Sequence, residues 1–292
     1  AAAKKLGYRL DPEASRYMSH IARRRSPEVK EVLGFLHLAE NEREEEIAKI
    51  AEAQAEELGY GLYSLWLSEF PKNPKRITRI FEARGIKGFV IGNAIRCMDP
   101  LELEWGKFSV VEMGHTLPNL STHRVIGNHY ENTLLAMEQL RKRGYHRVGF
   151  ACPLNVCEIH VNMSYSGYLL NREADPRAEP IPPFIFRPPL KREFFEEWLR
   201  INRPDAVFST CVQIREYLLD LGIRVPDEIA LVEYRDFDLP ESSIAAVVEN
   251  RAVKVTTGIN FLAGMRQRFE TGPPAFPTLM MIAGSWRPGK SI

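Results

Sequence analysis

Cys152, Cys157 and His160 lie close together in the chain, and thiolates with an imidazole are the donors that hold zinc. The spacing is not a CxxC pair and no fourth ligand stands nearby, so the residues read better as buried cysteines at the end of a strand. Asp236 and Asp238 would form an acid/base pair only if held a few ångströms apart in a desolvated cleft, and the alternative is that they cap a turn or the next helix. His37, His115, His123 and His129 are scattered without a ligating spacing. There is no GxxxxGK[ST] loop, GxSxG elbow or HExxH, and Gly59-Tyr60-Gly61 lacks the third glycine of a dinucleotide fingerprint. The expectation is therefore no catalytic set, no metal and no cofactor.

Charge is more informative. The chain has 292 residues and a formal net charge of +1. Residues 1–30 hold eight Lys/Arg against three Asp/Glu, a net +5, so the other 262 residues carry −4. A basic arm on a mildly acidic body is the footprint of a protein that meets a polyanion through one end; a solvated tail that happens to be basic is the plain alternative. With 45% apolar and 26% charged residues the composition is that of a globular protein of about two domains. No apolar run reaches the ~18 residues of a membrane span, and four cysteines without a dense framework fit a reducing cytoplasm.

The elements that must position these residues alternate. Strands are predicted at Val32–Leu38, Gly61–Leu67, Lys87–Ile91, Phe108–Met113, Arg147–Cys152, Pro182–Phe186, Asp205–Ser209 and Ile229–Tyr234, apolar and mostly unalternated, as strands buried on both faces are. Helices are predicted at Glu42–Leu58, Pro74–Arg84, Asn128–Arg143, His160–Asn171, Lys191–Ile201, Val212–Leu221 and Val253–Glu270, several followed by a glycine. This alternation implies an α/β fold of parallel sheets with helices on both faces, in two four-stranded units that meet near Gly144–Arg147. Open parallel sheets bind ligands beyond the carboxyl ends of their strands. That rule nominates Glu40, Asn41, Asn93, Glu158, Cys211, Arg235 and Asp236.

The order of motifs resembles the lactose/galactose repressor family of bacterial transcription factors. The resemblance is carried by AAAKKLGYRLDPEASRYM at 1–18, FSVVEMGHTLPNLSTHRVIGNHYENTLLAMEQLRKRGYHRVGFA at 108–151, RPDAVFSTCVQIREYLLDLGIRVPDEIALVEYRDFD at 203–238 and a closing Ala283-Gly284-Ser285. It implies a periplasmic-binding-protein-like core of two doubly wound parallel-sheet subdomains joined by three crossovers. Residues 1–27 would be the end of a DNA-binding headpiece and its hinge, 28–146 plus 241–274 the first subdomain, and 147–240 plus 275–292 the second. The family's helix-turn-helix precedes the segment with which this sequence starts, so the headpiece is expected to lie largely outside it.

In the hinge segment Ala14, Met18 and Ile21 share one helical face, while Arg9, Arg16 and Arg23–Arg25 offer phosphate contacts. Tyr17 falls where the family places a minor-groove leucine wedge. For the effector, the resemblance sets Arg235 where the family carries an aspartate and Ser164 where it carries an arginine, with Glu158 on a polar ligand position. Either Arg235 grips a carboxylate or phosphate, or Glu158, Asp236 or Asp238 neutralises it and ion pairs close the cleft. The implied protein is a cytoplasmic, homodimeric, non-enzymatic regulator, its operator binding modulated by a carbohydrate or anionic sugar derivative and without a membrane partner; a solute-binding protein of a sugar transporter is the rival.

Overall fold

The computed structural model describes residues 30–39, 42–70, 74–174, 176–177, 179–237 and 243–292. The expected hinge residues Arg9, Ala14, Arg16, Tyr17 and Met18, and the cleft residues Glu40 and Asn41, lie outside the described residues.

Short runs of Val, Ile, Leu and Phe make the strands, and side chains alternate between two covered faces. The first sheet contains β1 (Val32–His37), β2 (Gly61–Trp66), β3 (Gly88–Ile91), β4 (Ser109–Met113), β5 (His123–Gly127) and β11 (Leu279–Ile282), in the order β11-β5-β4-β3-β1-β2. All its pairings are parallel. Leu33, Phe35, Val90 and Val111 pack under α1 (Glu42–Glu57) and α8 (Arg251–Gln267), whereas Leu36, Phe89 and Ile91 pack under α2 (Lys75–Ala83) through Ile77 and Phe81.

The second sheet contains β6 (Val148–Pro153), β7 (Phe184–Phe186), β8 (Ala206–Ser209), β9 (Ala230–Arg235), β10 (Ala245–Val248) and β12 (Ser285–Arg287), in the order β12-β10-β9-β8-β6-β7. Only β12 runs antiparallel to its neighbour β10 among these pairings. One face carries α3 (His129–Lys142) and α5 (Met163–Ala174), packed through Met137, Leu140 and Tyr168 on Phe150, Phe208 and Val232. The other carries α6 (Arg192–Asn202) and α7 (Gln213–Asp220), packed through Phe195, Trp198, Ile214 and Leu218 on Val207 and Leu231. A six-residue helix, α4 (Leu154–Ile159), caps the carboxyl end of β6.

The two-lobed parallel architecture matches the expected one, but each lobe has six strands, not four. The passages between lobes also differ from the expected boundaries at 146/147, 240/241 and 274/275. The chain crosses at Gly127–His129, at Val248–Arg251 and at Ile282–Ser285. An apolar stripe on a helix tells that the helix is buried without telling against which sheet, and α3, expected in the first lobe, packs on the second sheet. The four strands beyond the expected eight are β5, β10, β11 and β12, each of three to five residues.

Candidate functional site at the hinge

Two of the three crossings are built alike. In each a strand of one sheet ends, an asparagine follows, and a helix of the other lobe starts on that asparagine. Asn128 Oδ1 accepts from the Glu131 amide at the head of α3, and Asn250 Oδ1 accepts from the Val253 amide at the head of α8, each at 3.3 Å. The third crossing is tied to the first, since the Asn128 amide donates to the Ile282 carbonyl at 2.8 Å and the Gly284 amide donates to Asn132 Oδ1 at 2.8 Å. A Cβ on Gly284 would sit 2.8 Å from the Val248 carbonyl oxygen, and one on Gly127 would sit 2.6 Å from Glu249 Oε1. Glycine is what lets the three crossings touch.

Polar side chains fill the space between them. Tyr234, on β9, donates its hydroxyl proton to Glu249 Oε1 at 2.8 Å, and its oxygen accepts from Asn132 Nδ2 at 3.0 Å. His129 Nδ1 lies 2.8 Å from the same oxygen, whose only proton is committed to the carboxylate, so this nitrogen carries the hydrogen and donates. Lys254 Nζ donates to Glu249 Oε2 at 2.8 Å. The His160 ring stacks on His129 with centroids 3.7 Å apart and contacts Ser164 Oγ through Nδ1 at 3.0 Å. Every member of this group is buried.

Burial sets the protonation states. Desolvation pushes the His129 imidazole down to about 4, and it pushes His160 well below the ordinary histidine range with further help from its neighbour His129. Burial raises Glu249, but the Lys254 ammonium and its hydrogen bond outweigh it and hold the carboxyl below its usual range. Tyr234 is pushed well up, mainly by burial. Donor atoms of His129, His160 and Glu249 fall within 4.8 Å of one another, the distance scale of a metal site. The stacked rings are within 11° of parallel, so their in-plane lone pairs do not converge on one point, and Lys254 already holds the carboxylate. The arrangement is an internal polar hub.

Beside the hub a latch spans the lobes. Asp236, just past β9, pairs with Arg251 Nη2 at 3.1 Å and with Arg43 Nη1 of α1 at 3.5 Å, while Arg251 Nη1 reaches Glu46 at 3.3 Å. The Arg43 guanidinium lies over the Phe237 ring, 3.8 Å from its centroid. Arg43, Phe237 and Arg251, with Glu249, Trp286 and Arg287, line a groove of about 540 Å³ along the hinge.

Arg235 is 2% exposed and forms a buried ion pair with Glu233, Nε to Oε2 at 2.6 Å, a partner not among those expected, while Asp238 lies outside the described residues. Residues 233 and 235 share a face of β9, so two charges at a spacing of two in an apolar strand were the available signal. Ser164 is turned inward to His160. Cys211 is half-buried in the turn before α7, where its amide donates to Ser209 Oγ at 3.0 Å. Asn93 packs against Gly114 in the first lobe, and Glu158 is exposed on α4. Of the expected cleft residues, Asp236 alone joins a contact between lobes among those described. The hub residues His129, Tyr234, Glu249 and Lys254 were not nominated, nor was the hydrogen-bonded line Ser64–His37–Glu44 in the first lobe, with His37 3.3 Å from Ser64 and 2.9 Å from Glu44. That line is Ser–His–Glu in composition, but the His37 ring is fully buried and stacked between Phe35 and Trp66, so neither face of it is open.

A two-lobed hinged α/β fold with three crossings defines the class, and solved structures share it. The chain is similar to a regulatory protein of the LacI family from Chloroflexus aggregans, at 18% identity and a TM-score of 0.68, covering 87% of this chain and 96% of that one. It is similar to the transcriptional regulator CelR in complex with cellobiose, at 15% identity and a TM-score of 0.68, covering 97% and 92%. A third is a periplasmic binding protein/LacI transcriptional regulator from Alkaliphilus metalliredigens complexed with D-xylulofuranose, at 15% identity and a TM-score of 0.63, covering 90% and 100%. No protein-family model matches the sequence, and no curated protein matches it. The periplasmic-binding-protein-like fold that the sequence resemblance implied is thus the fold of LacI-family regulators. Among the described residues no helix is long and apolar enough to cross a membrane.

Proposed function

We propose that the chain is the effector-responsive core of a cytoplasmic transcriptional regulator, which binds operator DNA as a homodimer and changes its DNA affinity when a small molecule sets the angle between its lobes. The observation that carries this reading is the hinge itself: three crossings meet on one buried hub, and the Arg43–Asp236 contact bridges the lobes beside an open groove. A ligand that prefers one lobe arrangement shifts the population toward it, and moving occupancy from mostly one state to mostly the other takes a preference of about 10⁴-fold.

Sugars are bound by the structural neighbours CelR and the Alkaliphilus protein, which favours a carbohydrate or a sugar derivative as the effector class. The buried Arg235–Glu233 pair moves the anion-binding role from Arg235 to the groove, where Arg43, Arg251 and Arg287 stand near Trp286 and Phe237. A thermal-shift screen of neutral sugars, sugar acids and sugar phosphates tests the reading, with Arg287→Ala alongside the wild type. Stabilisation by a member of one of these classes, weakened in the variant, supports it. Absence of any shift across all three classes, or full stabilisation of the variant, overturns the groove as effector site. Fusing a sequence-specific headpiece and measuring the salt dependence of DNA binding separates a regulator from a solute-binding protein.

A further inference from the structure

Cys152 ends β6 and Cys157 lies on α4, and the hub, the latch and the groove make no use of either. The two sulfur atoms are 3.0 Å apart and share a hydrogen bond, and the side chains are 0% and 2% exposed. They are joined by the four residues Pro153 to Val156, so a bond between them closes a short loop without moving any distant part of the chain. Between them stands Asn155, whose Nδ2 donates to the Ile95 carbonyl of the first lobe at 2.6 Å. The pair therefore lies directly behind the wall that α4 presents to the opposite lobe.

We propose that Cys152 and Cys157 are a reversible dithiol/disulfide site, oxidised by a small hydroperoxide and restored by a dithiol. The Cys157 sulfur attacks the terminal oxygen of the hydroperoxide and keeps it as a sulfenic acid, the O–O bond breaks, and the other oxygen leaves with the Cys157 proton as water or alcohol. The Cys152 sulfur then attacks the sulfenic sulfur, the S–S bond forms, and the hydroxyl leaves with the Cys152 proton as a second water. The pair loses two electrons and two protons, and the peroxide is reduced by two electrons.

The thiols differ in the sense this order requires. The hydrogen bond with Cys152 holds Cys157 below the usual thiol range, while burial pushes Cys152 well above it. Cys97 and Cys211 are more exposed yet have both been raised by burial, so they serve as internal controls for exposure against thiolate character. Both sulfur atoms sit in the core of the second lobe, so the oxidant must be as small as a hydroperoxide, reaching Cys157 through local movement of the six-residue α4.

The test treats the fully reduced chain with hydrogen peroxide, denatures and alkylates it, and maps the peptides. The expected result is one internally cross-linked peptide containing both residues, lighter by two hydrogens, with Cys97 and Cys211 alkylated and all four thiols recovered after dithiothreitol. Cys152→Ala and Cys157→Ala each abolish that species; the wild-type map decides the question even if a variant folds poorly. Recovery of both residues as alkylated thiols, while Cys97 or Cys211 is oxidised, overturns the proposal. So does a cross-link of any other pairing, or an oxidised product that dithiothreitol does not reverse.

Discussion

The His129 and His160 rings lie face to face, 3.7 Å apart and within 11° of parallel, one at the head of α3 immediately after the first crossing and the other just past α4. Two stacked imidazoles tolerate no shared positive charge, and both are kept neutral by burial. In the unfolded chain each titrates near the ordinary value of about 6.5, so the unfolded state takes up protons that the folded state refuses.

Stability should therefore fall as pH drops through the window from 6.5 to about 4, the lower bound being the His129 value. That histidine alone accounts for a loss of about 3 kcal/mol at the acid end. Glu249 adds to the loss in the same direction: its carboxyl is held below the usual range, so its contribution is present above the unfolded value and fades as pH falls beneath 4.5. Urea midpoints measured between about pH 7.5 and pH 4.5 check this, with His129→Gln expected to flatten the profile. A wild-type stability independent of pH over that range would refute the buried neutral pair.

Gly284 has no room for a methyl group, with a Cβ meeting both Val248 and Asn132 at under 3 Å. Gly284→Ala should cost about 1–3 kcal/mol as the third crossing is pushed off the other two. Equilibrium denaturation with an unchanged slope is the measurement, and a variant as stable as the wild type would mean that the crossings are not in contact.

Arg235 and Glu233 are buried together on one strand face. Removing the cation alone, in Arg235→Met, leaves an uncompensated carboxylate and should cost about 3–5 kcal/mol, while Arg235→Met with Glu233→Gln should recover much of that loss. If Arg235 instead faces a ligand, the single variant keeps its stability and loses only a ligand-induced thermal shift.

The lobes and their cores were legible from the residues because strands buried on both faces are written as unbroken apolar runs, such as Val148–Cys152 and Ala206–Ser209. The hinge was not. Glu249-Asn250-Arg251 reads as an ordinary polar turn, and nothing local marks Glu249 as the carboxylate that Tyr234, His129 and Lys254 enclose. Contacts at the hinge join residues far apart in the chain, 105 positions for His129 and Tyr234 and 193 for Arg43 and Asp236, and no period or spacing in one segment encodes them. The resemblance supplied the number of crossings but not their positions, which depend on which sheet each short strand joins.

The latch makes a prediction of a different kind, because its energy is small and its effect is on shape. Arg43 and Asp236 are each 52% exposed, so their pair contributes less than about 1 kcal/mol to folding and is screened by salt. A contribution of that size is still enough to bias two lobe arrangements several-fold if they are close in free energy. Asp236→Ala removes the ion pairs to both Arg43 and Arg251, and Arg43→Ala removes one ion pair and the contact with Phe237, so the radius of gyration in small-angle scattering should rise above the wild type in both variants. The exchanged pair Arg43→Asp with Asp236→Arg should return part of the way, and high salt should expand the wild type while leaving Asp236→Ala unmoved. Equal radii for all four proteins at low salt would show that the lobes are held by the hub alone, with the latch an incidental surface pair.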